Sequence, residues 1–472
     1  MYIPLDRNSK TSLTKQIYLC IKTMIMEGIL IEFEKLPSSR NLALSLNISR
    51  TIVVDAYEQL LAEGYIYSLG GSGTFVSQGI VFTKALPEFE EAKEINTFLY
   101  PEYIKNLKFR LGVPDLDKVP TALWGRLYRE VIESLDYQQL DYHNPMGDYG
   151  LRREIANYLK RIRGVISNPN NIIITSGAAQ GFSLLKALVS DKEYVLVENP
   201  VSKGIIKNFT ASNILFKPIG VDKQGIITSE LPKVAPKLII TTPSHQFPTG
   251  VVMSIKRRIE LINYARSNET YIVEDDYDSE YRYGGEPIQA LQSLDPSKVI
   301  YIGSFSKTFC PAIRLGYLIL PNNLVEILQH AKYGADIHSS LIEQVVMSKF
   351  IGNGYFEKHI RKMKKVYYKR RDFLISQLNE LFGDQIKISG ISAGIHLVIR
   401  FDNIIEDSNI IKKLEDKGIY SESISGYDIV KEIDDMKSEK QPLSLALGFG
   451  NMNDDDVRKG LNILWQTLNN YK

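Results

Sequence analysis

Residues 303–317 read GSFSKTFCPAIRLGY, and the fold turns on how this stretch is understood. A β-prone run, VIYIGS (299–304), leads into it, and a second, RLGYLIL (314–320), leads out. Between them Lys307 stands among Ser304, Ser306 and Thr308, and Arg314 follows in an otherwise apolar segment. A lysine desolvated near another cation has a lowered pKa and captures an aldehyde as a Schiff base. Hydroxyls and a guanidinium fork suit phosphate oxygens. The aldehyde cofactor that carries a phosphate is pyridoxal 5′-phosphate (PLP), whose sites add a carboxylate for the pyridinium nitrogen. Taken alone, Lys307 reads as readily as a snorkelling surface lysine, so the rest of the chain must supply partners.

Two other stretches supply them. In TYIVEDDYD (270–278), strand alternation puts Val273, Asp275 and Tyr277 on one face. The carboxylate suits a protonated ring nitrogen and the phenol suits a ring hydroxyl. Asp276 takes the carboxylate role if the strand phase differs by one. In IIITSGAAQG (172–181) a strand runs into a small-residue turn that opens a helix. The backbone N–H groups of Gly177, Ala178 and Ala179 then face an anion at the positive end of that helix. Surface acids and a tight turn would explain either stretch alone. All three at strand ends of one sheet point to a site.

Seven β-prone runs follow residue 107: 171–175, 194–198, 214–219, 237–242, 270–277, 299–304 and 314–320. Helical patterns such as 179–190, 254–268 and 322–333 separate most of them. This alternation predicts an α/β fold with a mostly parallel, seven-stranded sheet and ligands at its carboxyl edge. A β-rich piece at 386–401 among later helices predicts a smaller α+β lobe.

The N-terminal stretch has a different character. Helical spacing over 12–28 is followed by LPSSR, where Ser38 or Ser39 caps a short helix through NLALSLN. Ser49 then caps RTIVVDAYEQLLAEG, and YIYSLGGSGTFVS reads as a hairpin. Helix, helix, turn, helix and hairpin is the order of a winged helix-turn-helix. The implied organisation is a DNA-binding domain at 1–79, a linker at 80–106 and an effector domain at 107–472, its large lobe at about 140–335.

Composition sets outer limits. The 472 residues are 44% hydrophobic and 24% charged, the balance of a soluble globular chain. No apolar run is long enough for a membrane helix, and MYIPLDRNSK has no signal-peptide core, so a cytoplasmic location is expected. With Cys20 and Cys310 alone, neither a disulfide framework nor a thiolate metal site is available. The net charge of +2, and the seven Lys/Arg against seven Asp/Glu in the first 79 residues, leave DNA binding to motif and placement.

Residues 107–472 resemble the fold-type I PLP enzymes of the aspartate aminotransferase family, through TSGAAQG, TPSHQFPTG, VEDDYDSEYRY and GSFSKTFCPAIRLGY. The first 79 residues resemble the GntR-type winged helix, through LPSSR, NISRTIVVDAYEQLLAEGYI and GGSGTFV. The pairing is similar to the MocR subgroup of GntR-family regulators. The resemblance implies Lys307 as the Schiff-base lysine, Asp275 at the pyridine nitrogen and Tyr277 at the ring oxygen. It implies Ser304, Ser306, Arg314, Ala178 and Ala179 around the phosphate, and a homodimer. In the winged helix, the N-terminal residues of the third helix approach base edges. That nominates Arg50 and Thr51 for bases, Ser49 for phosphate, Arg40 for the groove edge, and Gly71 and Gly73 for the wing tip. The basic run KHIRKMKKVYYKRR (358–371) reads as a solvated helix face or as an added phosphate-contacting surface.

Departures from the family pattern narrow the expected ligand. In ENPVSKG, Ser202 stands where a ring-stacking tyrosine is expected, and Gly204 near a ligand-binding arginine. In LSLALGFG, Ala446 occupies the position of the arginine that clamps a substrate carboxylate. In TPSHQFPTG, Phe247 replaces an asparagine that contacts the ring oxygen, leaving His245 or Gln246 as substitutes. Without a bidentate clamp, transamination is disfavoured and no catalytic residue is assigned. The expectation is a regulator of operator DNA that senses PLP and controls vitamin B6 synthesis. The alternatives are a regulator whose ligand, an amino acid or dipeptide, joins PLP, and a working aminotransferase.

Overall fold

The computed structural model describes residues 1–80, 108–210, 212–285, 288–420, 422–429 and 441–469. Its contacts divide the chain into Met1–Leu99 and Tyr100–Lys472. Apart from Ile80, the expected linker lies outside the described residues.

In the first unit, α1 (Leu13–Met26), α2 (Ser39–Leu46) and α3 (Arg50–Ala62) precede β1 (Ile66–Leu69) and β2 (Gly73–Val76). Ser38 and Ser49 cap α2 and α3 by accepting from Asn41 and Thr51 amides, at 3.2 and 3.3 Å. Between those helices Asn47 takes a left-handed conformation (φ 53°), which an asparagine tolerates and which turns the chain sharply. Ile17 and Ile21 of α1 meet Val53, Ala56 and Leu60 of α3 in a closed apolar core. The antiparallel β1–β2 hairpin is the wing.

The second unit follows with α4 (Thr121–Ser134), α5 (Tyr149–Arg163), β3 (Ile172–Thr175), α6 (Ala178–Leu185), β4 (Tyr194–Asn199), α7 (Lys203–Thr210), β5 (Leu215–Asp222) and β6 (Gly225–Ile226). Then come β7 (Leu238–Thr241), α8 (Ile255–Ser267), β8 (Tyr271–Asp276), β9 (Val299–Ser304) and β10 (Gly316–Ile319). After them lie α9 (Val325–Asp336), α10 (Leu341–Gly352), α11 (Tyr355–Phe382), β11 (Ile386–Ser389), β12 (His396–Ile405), α12 (Ser408–Asp416), β13 (Pro442–Gly448) and α13 (Asp454–Leu468).

The large sheet has the order β3-β10-β9-β8-β7-β4-β5-β6 among the described residues. All seven expected strands are present, and the count is corrected to eight by β6, a two-residue return of β5 too short to carry a pattern. Neighbours from β9 to β5 run parallel, and β10 runs antiparallel to both β9 and β3. β3, β7 and β10 are buried at every residue because helices cover both faces, which is why they read as unbroken apolar runs. A separate antiparallel sheet, β11-β12-β13, forms the smaller lobe. No described helix is long and apolar enough to cross a membrane.

The basic run 358–371 lies on α11, and its charges divide between two environments. Arg370 is drawn inward, donating to Asp115 Oδ2 at 2.6 Å and to the Gly450 carbonyl oxygen at 2.5 Å. Arg371 pairs with Asp372, donates to the Ile391 carbonyl oxygen and stacks over Tyr283 and Tyr368. Lys358, Arg361, Lys362, Lys365 and Lys369 stay exposed, and form no ion pair among the described residues. Arg370→Ala is expected to cost about 2–3 kcal/mol in urea unfolding, because it strands a buried carboxylate. Arg370→Lys should recover only part of this, since an ammonium cannot fork between both acceptors.

Candidate functional site

The β-sheet register assembles the site. Gly316 pairs with Ser304 on β9 and with Thr175 on β3, and Gly303 pairs with Asp276 on β8. The loops after β3, β8 and β9 therefore leave the sheet side by side, at the carboxyl edge where ligands of α/β proteins collect. Glycine is required at these crossings. A Cβ on Gly316 would lie 2.9 Å from Gly177 C, and one on Gly303 would lie 2.2 Å from the Tyr317 ring.

On the β3 side, Gly177 caps α6 with φ 86° and ψ 170°, a conformation only glycine adopts freely. The first-turn amides after it have no intrahelical acceptor. Arg314 reaches across, its Nη2 donating to the Ser176 carbonyl oxygen at 2.7 Å, and its guanidinium lies 3.0 Å from where a Gly177 Cβ would stand. Ser304 Oγ donates to Ser306 Oγ at 2.9 Å and accepts from the Ser306 amide at 3.1 Å. Backbone amides, two hydroxyls and an exposed guanidinium together form a cradle for a dianion.

Lys307 Nζ lies 2.9 Å from where a Cβ on Gly112 would stand, so glycine at 112 (φ 63°) makes room for the amine. Burial lowers the Lys307 pKa. Asp278 and Asp275 oppose that shift, and Arg314 and Arg110 reinforce it. A lowered pKa favours the neutral amine, which is the nucleophile an aldehyde needs.

Strand phase separates three consecutive acids. Asp276 turns to Arg163, a pair 2.9 Å apart with both side chains 2% exposed, and accepts from Tyr301 at 2.5 Å. Glu274 shares that face and accepts from the Leu291 and Gln292 amides at 2.9 and 2.8 Å. Asp275 points the other way. Burial pushes its pKa up to about 7, with Asp276, Asp278 and Glu198 adding to the rise and Lys307 opposing it. The Tyr277 hydroxyl donates to the His245 carbonyl oxygen at 2.9 Å, and its pKa is raised by burial and then by Asp278 and Asp275, so it remains a donor.

The residue set fits PLP: an amine, a carboxylate on the same side as the amine, a phenol and an anion cradle at one strand edge. Lys307, Asp275, Tyr277, Ser304, Ser306, Arg314, Gly177, Ala178 and Ala179 all lie on the strand ends, turns and first helical turn that the register brings together. His245 comes close but is sealed, its side chain 1% exposed and its Nδ1 engaged by Asp278 at 3.0 Å. Gln246 is occupied by Pro200, Phe247 and Thr249. Ala446 is buried within β13, and Phe247 packs edge-on against Tyr277 and Tyr427. Sequence reasoning missed Arg163, Asp278 and Gly112, although the last stands in RLGVPD, where a glycine two residues before Pro114 marks a tight turn.

In the first unit, Arg40 lies exposed on α2, while Ser49, Arg50 and Thr51 open α3. Arg50 Nε is steadied by Ser39 Oγ at 3.3 Å. Gly71 and Gly73 occupy the wing turn with φ of 78° and 120°, and the Lys35 side chain lies beneath Gly73.

Comparison with known proteins places both units. The family described as aminotransferase class I and II matches residues 126–439, and the bacterial regulatory proteins of the gntR family match residues 13–76. The chain is 32% identical to the HTH-type transcriptional regulator YhdI of Bacillus subtilis (strain 168), covering 97% of this chain and 96% of that one. It is 29% identical to the probable rhizopine catabolism regulatory protein MocR of Rhizobium meliloti, covering 98% and 94%. It is also 29% identical to the pyridoxine biosynthesis transcriptional regulator PdxR of Corynebacterium glutamicum, covering 97% and 96%. Among solved structures, the multiple substrate aminotransferase of Thermococcus profundus superposes with a TM-score of 0.71 at 23% identity, over 81% of this chain and 96% of that one, which shows the shared fold.

The raised Asp275 pKa sets a stability test. A carboxyl whose pKa rises on folding contributes stability fully below its ordinary value of 3.8, and loses it as pH climbs towards about 7. Asp275→Asn should therefore raise the apo melting temperature by a few degrees at about pH 8, with the gain shrinking below about pH 5. The same variant should bind PLP at least tenfold more weakly in an absorbance titration, having lost the pyridinium counter-charge.

Proposed function

The chain is a transcriptional regulator of the MocR subgroup of the gntR family, and we propose that it senses PLP itself, in control of vitamin B6 synthesis. One observation carries the reading. A lysine, a ring-nitrogen carboxylate, a phenol and a phosphate cradle are present for the cofactor, while the positions that would clamp a carboxylate hold no arginine. Ala446 is fully buried in β13, and Gly204 stands in the first turn of α7 with no guanidinium. Alanine and glycine cannot reproduce the two parallel bonds by which arginine holds a carboxylate.

PLP, when bound, supplies an aldehyde, a pyridinium nitrogen and a phosphate. Lys307 would offer the amine, Asp275 the counter-charge at the ring nitrogen, and Tyr277 a hydrogen bond at the ring oxygen, its single proton then leaving the His245 carbonyl oxygen that accepts it without the cofactor. Arg314, Ser304, Ser306 and the amides of Gly177, Ala178 and Ala179 neutralise the phosphate. A relative named for pyridoxine biosynthesis supports the same reading.

The readout is operator DNA. Arg50 and Thr51 address base edges from the start of α3. Ser49 and Arg40 take phosphates or the groove edge, and the wing carrying Gly71 and Gly73 approaches the minor groove. The exposed stripe Lys358, Arg361, Lys362, Lys365 and Lys369 on α11 adds phosphate contacts in the homodimeric complex. A second reading, steady transamination, is favoured by the intact lysine and carboxylate alone.

Operator binding measured with apo, PLP-loaded and Lys307→Ala protein distinguishes these readings. The regulator reading expects wild-type affinity to change with PLP, Lys307→Ala to be unresponsive, and no sustained turnover of amino donors. Turnover abolished by Lys307→Ala would establish the enzyme instead, and no visible band after PLP addition would overturn both. Charge reversal of Lys362, Lys364 and Lys365 should weaken operator binding and flatten its salt dependence by about two to three units of slope. An unchanged slope would remove α11 from the interface.

A further inference from the structure

Next to the cofactor groups lies a buried set of side chains that the proposed function leaves unused. His245 follows β7 and Asp278 follows β8 on the large sheet, while His396 opens β12 of the small one. Ligating atoms of the three lie within 4.8 Å of one another, and all three residues are buried. His245 Nδ1 is 3.0 Å from Asp278 Oδ1 and 3.0 Å from the Tyr277 hydroxyl.

The hydrogen bonds fix the tautomer by elimination. The Tyr277 proton goes to the His245 carbonyl oxygen, and a carboxylate only accepts, so His245 Nδ1 carries the proton shared with Asp278. His245 Nε2 is then an acceptor, and it is buried with no hydrogen-bond partner. His396 Nε2 lies 3.1 Å from the Pro248 carbonyl oxygen and donates to it. Burial, then His245, pushes the His396 pKa down to about 3, so the neighbouring ring stays neutral.

The small lobe presses on this imidazole through glycine. A Cβ on Gly394 would lie 2.1 Å from His245 Cε1, 2.3 Å from its Nδ1 and 2.5 Å from Asp278 Oδ2. The His245 ring lies against His396, with centroids 4.7 Å apart, and along Tyr277 at 5.9 Å. The imidazole is wedged between the phenol on one lobe and the glycine strand of the other. Phe247, at the position where the family uses an asparagine, brings no hydrogen bond to the ring oxygen, so the pose of Tyr277 matters more here.

We propose that His245 is a positioning residue: held by Asp278 and by the Gly394–His396 segment leading into β12, it fixes the Tyr277 phenol for the cofactor's ring oxygen and ties PLP affinity to contact between the lobes. The proposal rests on the PLP reading above. The charged and titratable groups whose charge acts on this phenol and imidazole are Asp278, Asp275, Glu198 and His396, with Asp276 acting from the opposite face of β8. Asp278 also faces Lys307, so one carboxylate links the amine to the imidazole that holds the phenol.

The test is an absorbance titration with PLP across pH, on full-length wild type, His245→Ala, His245→Asn, Tyr277→Phe and the His245→Ala/Tyr277→Phe double variant. His245→Ala is expected to weaken PLP about tenfold and to move the pH midpoint of the bound-cofactor band by about one unit. Asn places a donor near the Nδ1 position and should restore most of both. In the Tyr277→Phe background, His245→Ala should add nothing, because its effect runs through the phenol. Apo melting curves and circular dichroism identify any variant that has lost its fold, and the pH midpoint of the correctly folded Asn variant then decides. Unchanged affinity and midpoint in His245→Ala, or effects additive with Tyr277→Phe, would overturn the proposal. So would stoichiometric Zn²⁺ that co-purifies with wild type and is lost in His245→Ala, since the trio would then be a metal centre. A wild type that binds no PLP sinks the underlying reading, whereas a wild type that binds and a His245→Ala that matches it sink this proposal alone.

Discussion

The site depends on one topological constraint, the antiparallel placement of β10 between β9 and β3. A parallel successor to β9 would need a crossover of a dozen or more residues, usually a helix, and would start at the far edge of the sheet. The antiparallel return instead turns within residues 305–315, at the carboxyl edge. It carries Lys307 on its way out and Arg314 on its way back. Because β10 also pairs with β3, the return lies beside the turn that opens α6. The two cations in an apolar run are thus a consequence of sheet order. The flanking strands are apolar because both faces are covered, and the residues between them are polar because they lie at the edge where the sheet ends.

A second constraint is the alternation of side chains along β8. Three acids in a row cannot share one environment. Arg163 and Tyr301 take Asp276, two backbone amides take Glu274, and Asp275 is left with burial opposed by little except Lys307. A carboxyl left in this state is a cost to the apo protein, of the kind retained at functional sites. A cationic partner placed against Asp275 would relieve it, and a pyridinium ring nitrogen is such a partner on the reading proposed above. The Arg163–Asp276 pair therefore acts on the site indirectly, by fixing which of two adjacent aspartates faces the amine.

Much of this was legible from local pattern. β-prone runs marked all seven longer strands, serine caps marked α2 and α3, and alternation put Asp275 rather than Asp276 on the face of Tyr277, with Asp276 as the alternative had the strand phase differed by one. What stayed hidden depends on residues far apart in sequence. β6 is too short to show a period. The direction of β10 follows from pairing, which single-strand composition does not encode. The inward turn of Arg370 needs Asp115, 255 positions away, so the basic run looked uniform when half of its C-terminal end is internally engaged. His245 was readable as a polar substitute for the missing asparagine, yet its burial depends on Gly394 from the other lobe.

That lobe contact bears on how such a domain can signal without turning over substrate. Behind Tyr277 the lobes meet through backbone, since a Cβ on Gly250 would stand 2.4 Å from Gly390 Cα, and Gly394 lies flush on the His245 ring. Contacts of this kind have no flexible side chain to absorb a displacement, and packed interiors pass strain on. A ligand need only prefer one pose of the phenol to favour one arrangement of the lobes, by as much as its affinity differs between the two. An enzyme in steady turnover gains little from such coupling, because its ligand changes at every cycle. On the reading proposed above, a regulator that holds its cofactor with no clamp for a next reactant would keep the preferred arrangement for as long as the cofactor stays.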